Sequence, residues 1–165
     1  MTDDDFKKKF WKHLDDSPFV MLAISGNDHS HSQPMTAQFD DDLPNDLYFF
    51  TSSHNGFVKA AQAGERDAVV SFSSKGHDFF ASVHGLITID NDEAKIDKFW
   101  SPMVAAWFEE GRDDPQVTLI RVDLGRAEFW EAGTGSFMKE MASAIFNKSA
   151  HEQGRKHQRE TRFAA

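Results

Sequence analysis

At 165 residues, with 39% apolar content including 16 Phe and 4 Trp, the chain is long enough for one aromatic-rich core and too short for two ordinary domains. The lack of cysteine excludes disulfides, thiol catalysis and thiolate metal sites, and a net charge of −9 opposes nucleic acid and anionic membrane surfaces as partners. The charge is uneven, because residues 138–165 hold six Lys/Arg against three Glu, or +3, and the remainder carries −12.

The acidic start, Met1-Thr2-Asp3-Asp4-Asp5, has no long apolar run after it, which predicts neither a secretory leader nor a spanning helix and makes the cytoplasm the expected location. Phe6, Phe10, Trp11 and Leu14 share one side at helical spacing, so residues 3–16 read as an amphipathic helix. Residues 19–24 are apolar on both alternating faces, and the turn at Gly26-Asn27-Asp28 leads into residues 30–39, which together read as a hairpin. After an acidic loop, residues 47–51 form a strand and residues 55–63 a short helix ending at Gly64.

Between that strand and helix lies Thr51-Ser52-Ser53-His54-Asn55-Gly56, a loop whose hydroxyls and helix-start N–H groups suit an anion. It holds no Lys or Arg before Lys59. An ordinary connector with Ser and Asn as helix caps is the competing reading.

Residues 68–73 read as a strand and Ser74-Lys75-Gly76-His77 as a turn. In residues 79–89 the apolar positions are odd, and Ser82, His84 and Thr88 are even, so one face of a long strand packs inward. Asp90-Asn91-Asp92 caps a helix with Ile96, Phe99, Trp100, Met103, Val104, Trp107 and Phe108 on its apolar face, kinked or divided at Pro102. Two last strands, 117–124 and 127–130, flank Gly125, and a helix follows near residues 137–146. The expected fold is α+β and mainly β: a split antiparallel barrel of six to seven strands with short flanking helices. Residues 1–147 form that domain, and residues 148–165 read as a basic, solvated tail.

No G-x-G-x-x-G or Walker loop occurs, and no Ser-His-Asp set or carboxylate pair has telling spacing, so no catalytic residue is assigned. His29 and His31 would share a strand face but lack a third ligand, and the Asp40-Asp41-Asp42 run lacks calcium-loop spacing, so no metal is expected.

Several segments together resemble one family. They are Ser32-Gln33-Pro34-Met35, Leu47-Tyr48-Phe49-Phe50-Thr51 and Ala81-Ser82-Val83-His84-Gly85, then the stretch from Lys95 to Phe108, Asp113-Asp114-Pro115, Leu119-Ile120-Arg121-Val122 and Ala127-Glu128-Phe129-Trp130. Across residues 10–131 the chain is similar to the general stress protein 26 branch of the pyridoxamine 5'-phosphate oxidase-like split-barrel flavoproteins.

The resemblance implies a homodimer with flavin mononucleotide (FMN) in clefts between subunits, and a redox-active flavoprotein of unidentified substrate. Carried over by position, Gln33, Pro34, Met35 and Thr36 line the ring, and Phe50, Thr51, Ser52, Phe57 and Val58 surround the ribityl phosphate. Trp107 and Phe108, or Trp130, approach from the partner subunit. Relatives commonly carry Arg at the position of Gln33 and Lys at that of Phe57. Two charge-assisted bonds to phosphate are worth roughly 1.5 to 3 kcal/mol each. His54 is the expected substitute donor, since Lys59 sits about 200° around the helix from Phe57. The alternative is a non-enzymatic stress or binding protein with weakened flavin binding. Pyridoxamine phosphate oxidation itself is disfavoured, because no second basic phosphate site is visible.

Overall fold

The computed structural model describes residues 2–25, 31–131 and 158–163. Helix α1 (Asp3–Asp16) starts at a capping box in which the Thr2 side chain and Asp5 exchange hydrogen bonds with each other's backbone, and it buries Phe6, Phe10 and Leu14. Strands β1 (Phe19–Ile24), β2 (Gln33–Thr36) and β3 (Asp46–Ser52) follow, then helix α2 (Gly56–Ala61), β4 (Arg66–Ser73) and β5 (Phe79–Ile89). Helices α3 (Glu93–Phe99) and α4 (Pro102–Ala105) lead to β6 (Val117–Glu131) and β7 (Gln158–Arg162).

The described strands form one antiparallel sheet in the order β2-β1-β4-β5-β6-β3, with β7 also on β6. An isolated bridge between Gln38 and Tyr48 joins the β2 side to β3, which curls the sheet round on itself. This is the split barrel expected. Its interior is filled by inward residues of β1, β4, β5 and β6, including Leu22, Val70, Val83 and Phe129, and α1 covers one end. A smaller cluster outside the barrel joins Tyr48 and Leu119 to Ile96 and Phe99 of α3.

Four features differ from the sequence expectations. The second strand is only Gln33–Thr36, followed by the single bridge at Gln38, because the chain must leave β1 to reach β3. The helical segment divides at Pro102 as expected, but α4 ends at Ala105, short of Trp107 and Phe108; Trp100 is extended, and Ser101 caps α4 by accepting from Val104 N–H at 3.3 Å. The two last strands are one, continuous through Gly125 but bulged there. Val83 pairs with Ala127 and Gly85 with Leu124, so Gly125 and Arg126 together oppose His84, and a Cβ on Gly125 would lie only 3.2 Å from the His84 carbonyl oxygen.

The fourth difference lies in the basic segment. Residues 117–123 of β6 pair with β3, and residues 126–130 pair with β7. Thus β7 protects the edge that β3 leaves open. Arg159 and Thr161 bond the Asp3 carboxylate, and Phe163 packs among Phe10, Trp11 and Phe129. Those contacts offset the cost of ordering a polar strand. The helix expected near residues 137–146 lies outside the described residues.

Candidate functional site

A cleft of about 560 Å³ opens between β2, the end of β3 and the α4 segment. Its apolar walls are Pro34, Met35, Phe50, Met103, Val104, Trp107 and Phe108. Its polar groups are Gln33, Thr36, Gln38, Thr51, Ser52, Asn55 and Gln116, with two carboxylates, Glu109 and Asp114. Neither Lys, Arg nor His is among these lining residues.

The aromatic wall arises because β3 alternates. Leu47 and Phe49 enter the barrel, whereas Tyr48 and Phe50 face outward towards the α3–α4 segment. Phe50 meets Trp100 edge-on at 5.6 Å, and Trp100 lies 5.9 Å from Phe108, so the wall is braced from behind. Trp107, in contrast, is 83% exposed, and Met103 beside it is 61% exposed. Two large apolar side chains thus stand in water at the cleft rim.

Below this wall, Tyr48 is fully buried with its hydroxyl 3.4 Å from Asp46, and Lys95 lies over its ring at 5.4 Å. Burial, then the Asp46 charge, raises the Tyr48 phenol above its ordinary value. Burial likewise raises Asp46, against the pull of Arg121. Lys95 is raised mainly by its 2.6 Å bond to Asp90, which ties α3 to the end of β5.

The loop after β3 is more occupied than its sequence implied. Ser53 N–H donates to the Gln116 carbonyl at 2.9 Å, His54 N–H to Ser52 Oγ at 3.2 Å, and Asn55 N–H to the Ser52 carbonyl at 2.9 Å. Phe57 N–H donates to Asn55 Oδ1 at 2.9 Å, the N-cap of α2. Most amides expected to await an anion therefore already have partners, which corrects the helix-start reading in favour of the capped connector. Asp114 is similarly engaged: its carboxylate accepts from Glu110 N–H at 3.3 Å and Gln116 N–H at 2.9 Å.

Of the residues singled out from sequence, the cleft brings together Gln33, Pro34, Met35, Thr36, Phe50, Thr51, Ser52, Trp107 and Phe108, the last two from the same chain and not, as expected, from the partner subunit. Phe57 and Val58 lie elsewhere, 1% and 2% exposed in the barrel core. Both turn inward from α2, so its apolar face lies against the barrel. His54 is exposed and does not line the cleft, and Trp130 sits on β6 opposite Phe80. Gln38, Asn55, Met103, Val104, Glu109, Asp114 and Gln116 are cleft residues that sequence reasoning did not select. Asn55 as a helix cap beside a cleft loop was a readable signal, whereas Gln116 arrives only through tertiary closure. His31 is exposed, and His29 lies outside the described residues. Among the described residues no three His, Cys, Asp or Glu side chains are grouped to hold a metal, and no helix is long and apolar enough to cross a membrane.

A curled antiparallel sheet with short helices around it and an aromatic, mostly neutral cleft between β2, β3 and α4 defines a split-barrel domain. The chain belongs to the pyridoxamine 5'-phosphate oxidase like family, whose model matches residues 5–153. Solved structures agree. A general stress family protein from Xanthomonas campestris pv. campestris is 41% identical, with 82% of this chain and 93% of that one covered and a TM-score of 0.74. The general stress FMN/FAD binding protein from Xanthomonas citri is 39% identical, with 80% and 92% covered and a TM-score of 0.74. A protein described as a general stress protein 26, from Jannaschia sp. CCS1, is 31% identical, with 88% and 91% covered and a TM-score of 0.71. No functionally curated protein matches the chain.

Proposed function

We propose that the cleft binds a flavin, FMN in the first instance, within a cytoplasmic homodimeric protein of the stress-associated branch of the family. The observation that carries this reading is that one cleft joins the apolar side chains Pro34, Met35, Phe50, Trp107 and Phe108 with neutral hydrogen-bonding side chains. A planar heteroaromatic ring with polar edges matches that surface, and about 560 Å³ is ordinary for a small-molecule site. The 39% identity to a general stress FMN/FAD binding protein supports the same ligand class.

The fit is good for a ring and a hydroxylated chain, and poor for a phosphate dianion in one protomer. Thr51, Ser52, Asn55 and Gln116 can serve ribityl hydroxyls, but the lining supplies no cation and includes Glu109 and Asp114. A second copy covering the exposed Trp107 and Met103 would complete the site, and supports the dimer reading. Once bound, a flavin supplies electron or hydride transfer itself; Gln33, Thr36 and the aromatic wall would bind it, orient it and exclude water.

The missing cation favours a second reading, a stress-associated binding protein with weakened flavin affinity. Titration of the purified protein with FMN separates the two. Quenched flavin fluorescence with a saturable change in the visible spectrum is the expected result. A colourless protein that leaves FMN fluorescence unaltered at high micromolar concentrations refutes the flavin reading.

A further inference from the structure

Gln33 and Asn55 form a side-chain amide pair in the wall of the cleft. A backbone N–H can only donate, so the Asn55 atom 2.9 Å from Phe57 N is its side-chain oxygen. The other end of that amide is therefore the NH2 group, and it donates to Gln33 at 3.0 Å. The Gln33 atom receiving it must be Oε1, which leaves the Gln33 NH2 as the remaining end. Among the described residues Gln33 has no other side-chain hydrogen bond, and both residues line the cleft. Its backbone is held opposite Leu22 in the β1–β2 ladder.

From this relay we infer that Gln33 is the specificity-determining residue of the cleft, presenting a neutral donor to a ligand acceptor, and that Asn55 is the positioning residue that fixes its orientation. The α2 cap thus dictates the polarity of the cleft wall. The ligand edge it selects bears a carbonyl oxygen or an unprotonated ring nitrogen, as the pyrimidine edge of a flavin does. An Arg at position 33 could not take part, because it has no acceptor for the Asn55 NH2. The assignment rests on the flavin reading for the identity of the ligand, and on the hydrogen-bond geometry alone for the relay.

The test is a double-mutant cycle on the full chain with FMN as the probe. Q33M removes the donor without adding charge, and should weaken FMN about three- to tenfold, the range of one neutral hydrogen bond. N55D keeps the α2 cap, since Asp caps as well as Asn, but offers Gln33 only acceptors and turns its amide round. It also adds a charge, so its effect is compared in two backgrounds. N55D should cost at least about threefold more affinity with Gln33 present than in the Q33M background, at an unchanged melting midpoint. Equal losses in both backgrounds would mean that the charge acts directly, and would overturn the relay. A flavin-free readout accompanies the cycle: the Gln33 side-chain amide signals, assigned by their loss in Q33M, should shift in N55D, and unchanged signals overturn the relay. Failure of the unmutated protein to take up FMN overturns the proposed function and the ligand assignment with it. Uptake unaffected by Q33M and N55D overturns this inference alone.

Discussion

Replacing Phe57 by Lys, the residue relatives commonly carry there, is predicted to unsettle the fold rather than to create a phosphate site. Phe57 is 1% exposed on α2 and packs into the barrel core with Val58. Truncating a buried Phe costs about 3–5 kcal/mol, and a Lys there must either bury its ammonium or bend its stem out to water. Against a typical domain stability of about 5–15 kcal/mol, that is a large fraction. Each kcal/mol shifts the midpoint by roughly 2–4 °C in a domain of this size, so F57K should melt about 6–20 °C below the parent protein. Phe57→Leu, which keeps the site apolar, should lose much less. Thermal unfolding followed by circular dichroism gives the shift, and FMN titration well below both midpoints gives the affinity. An F57K protein with the parental midpoint and tighter FMN binding would show that position 57 reaches the cleft, and would refute the placement of α2.

Gly85→Ala should cost about 1–3 kcal/mol in urea unfolding, because its Cβ would meet the Asp123 carbonyl oxygen at 2.6 Å and Val122 Cγ1 at 2.7 Å, and backbone in a sheet cannot retreat; a neutral result would place the β6 bulge elsewhere. Ser74→Ala should cost about 1–3 kcal/mol, since the buried Ser74 Oγ accepts from Asp78 and Phe79 N–H at 3.1 and 3.0 Å. The Ser74 hydroxyl also bonds Asp78 at 2.6 Å and is the main cause of its lowered pKa. That share of stability is present above the ordinary value near 3.8 and is lost as pH falls through the lower folded-state value. Acid unfolding should therefore be shallower in S74A, and a parallel pH profile would count against the turn. Phe163→Ala should cost about 3–5 kcal/mol in thermal unfolding if β7 anchors α1, whereas a solvated tail would show no change.

Much of the fold was legible because its signals are local. The 3.6-residue spacing of Phe6, Phe10 and Leu14 and the two-residue alternation of Phe79, Ala81, Val83 and Ile87 survive into the structure as buried faces. Strand β7 left no such trace: Gln158, Arg159 and Glu160 are polar and exposed, and only pairing with β6 makes them a strand. The cleft divides the same way. Pro34, Met35 and Phe50 were found through the resemblance, while Gln38, Asn55 and Gln116 meet only when the Gln38–Tyr48 bridge and the β3–β6 pairing have formed. At Phe57 the family position does not fix the side-chain direction, because an apolar ring there turns into the core. The same helix position tolerates a long amphipathic residue or a wholly apolar one, and these have different destinations.

The two positions where the family resemblance implies cations thus have separate physical fates. At Phe57 the charge is exchanged for core packing and contributes to stability. At Gln33 it is exchanged for an amide that can both accept from Asn55 and donate onward, which Arg cannot do. Two charge-assisted bonds would contribute roughly 3–6 kcal/mol to holding a phosphate. A heteroaromatic ring burying about 200 Å² against the wall of Pro34, Met35, Phe50, Trp107 and Phe108 contributes about 5 kcal/mol, a term of equal size. In the flavin reading, affinity therefore shifts from the phosphate to the ring. In the homodimer proposed above, the 83%-exposed Trp107 would contribute the most apolar area of the cleft residues on being covered.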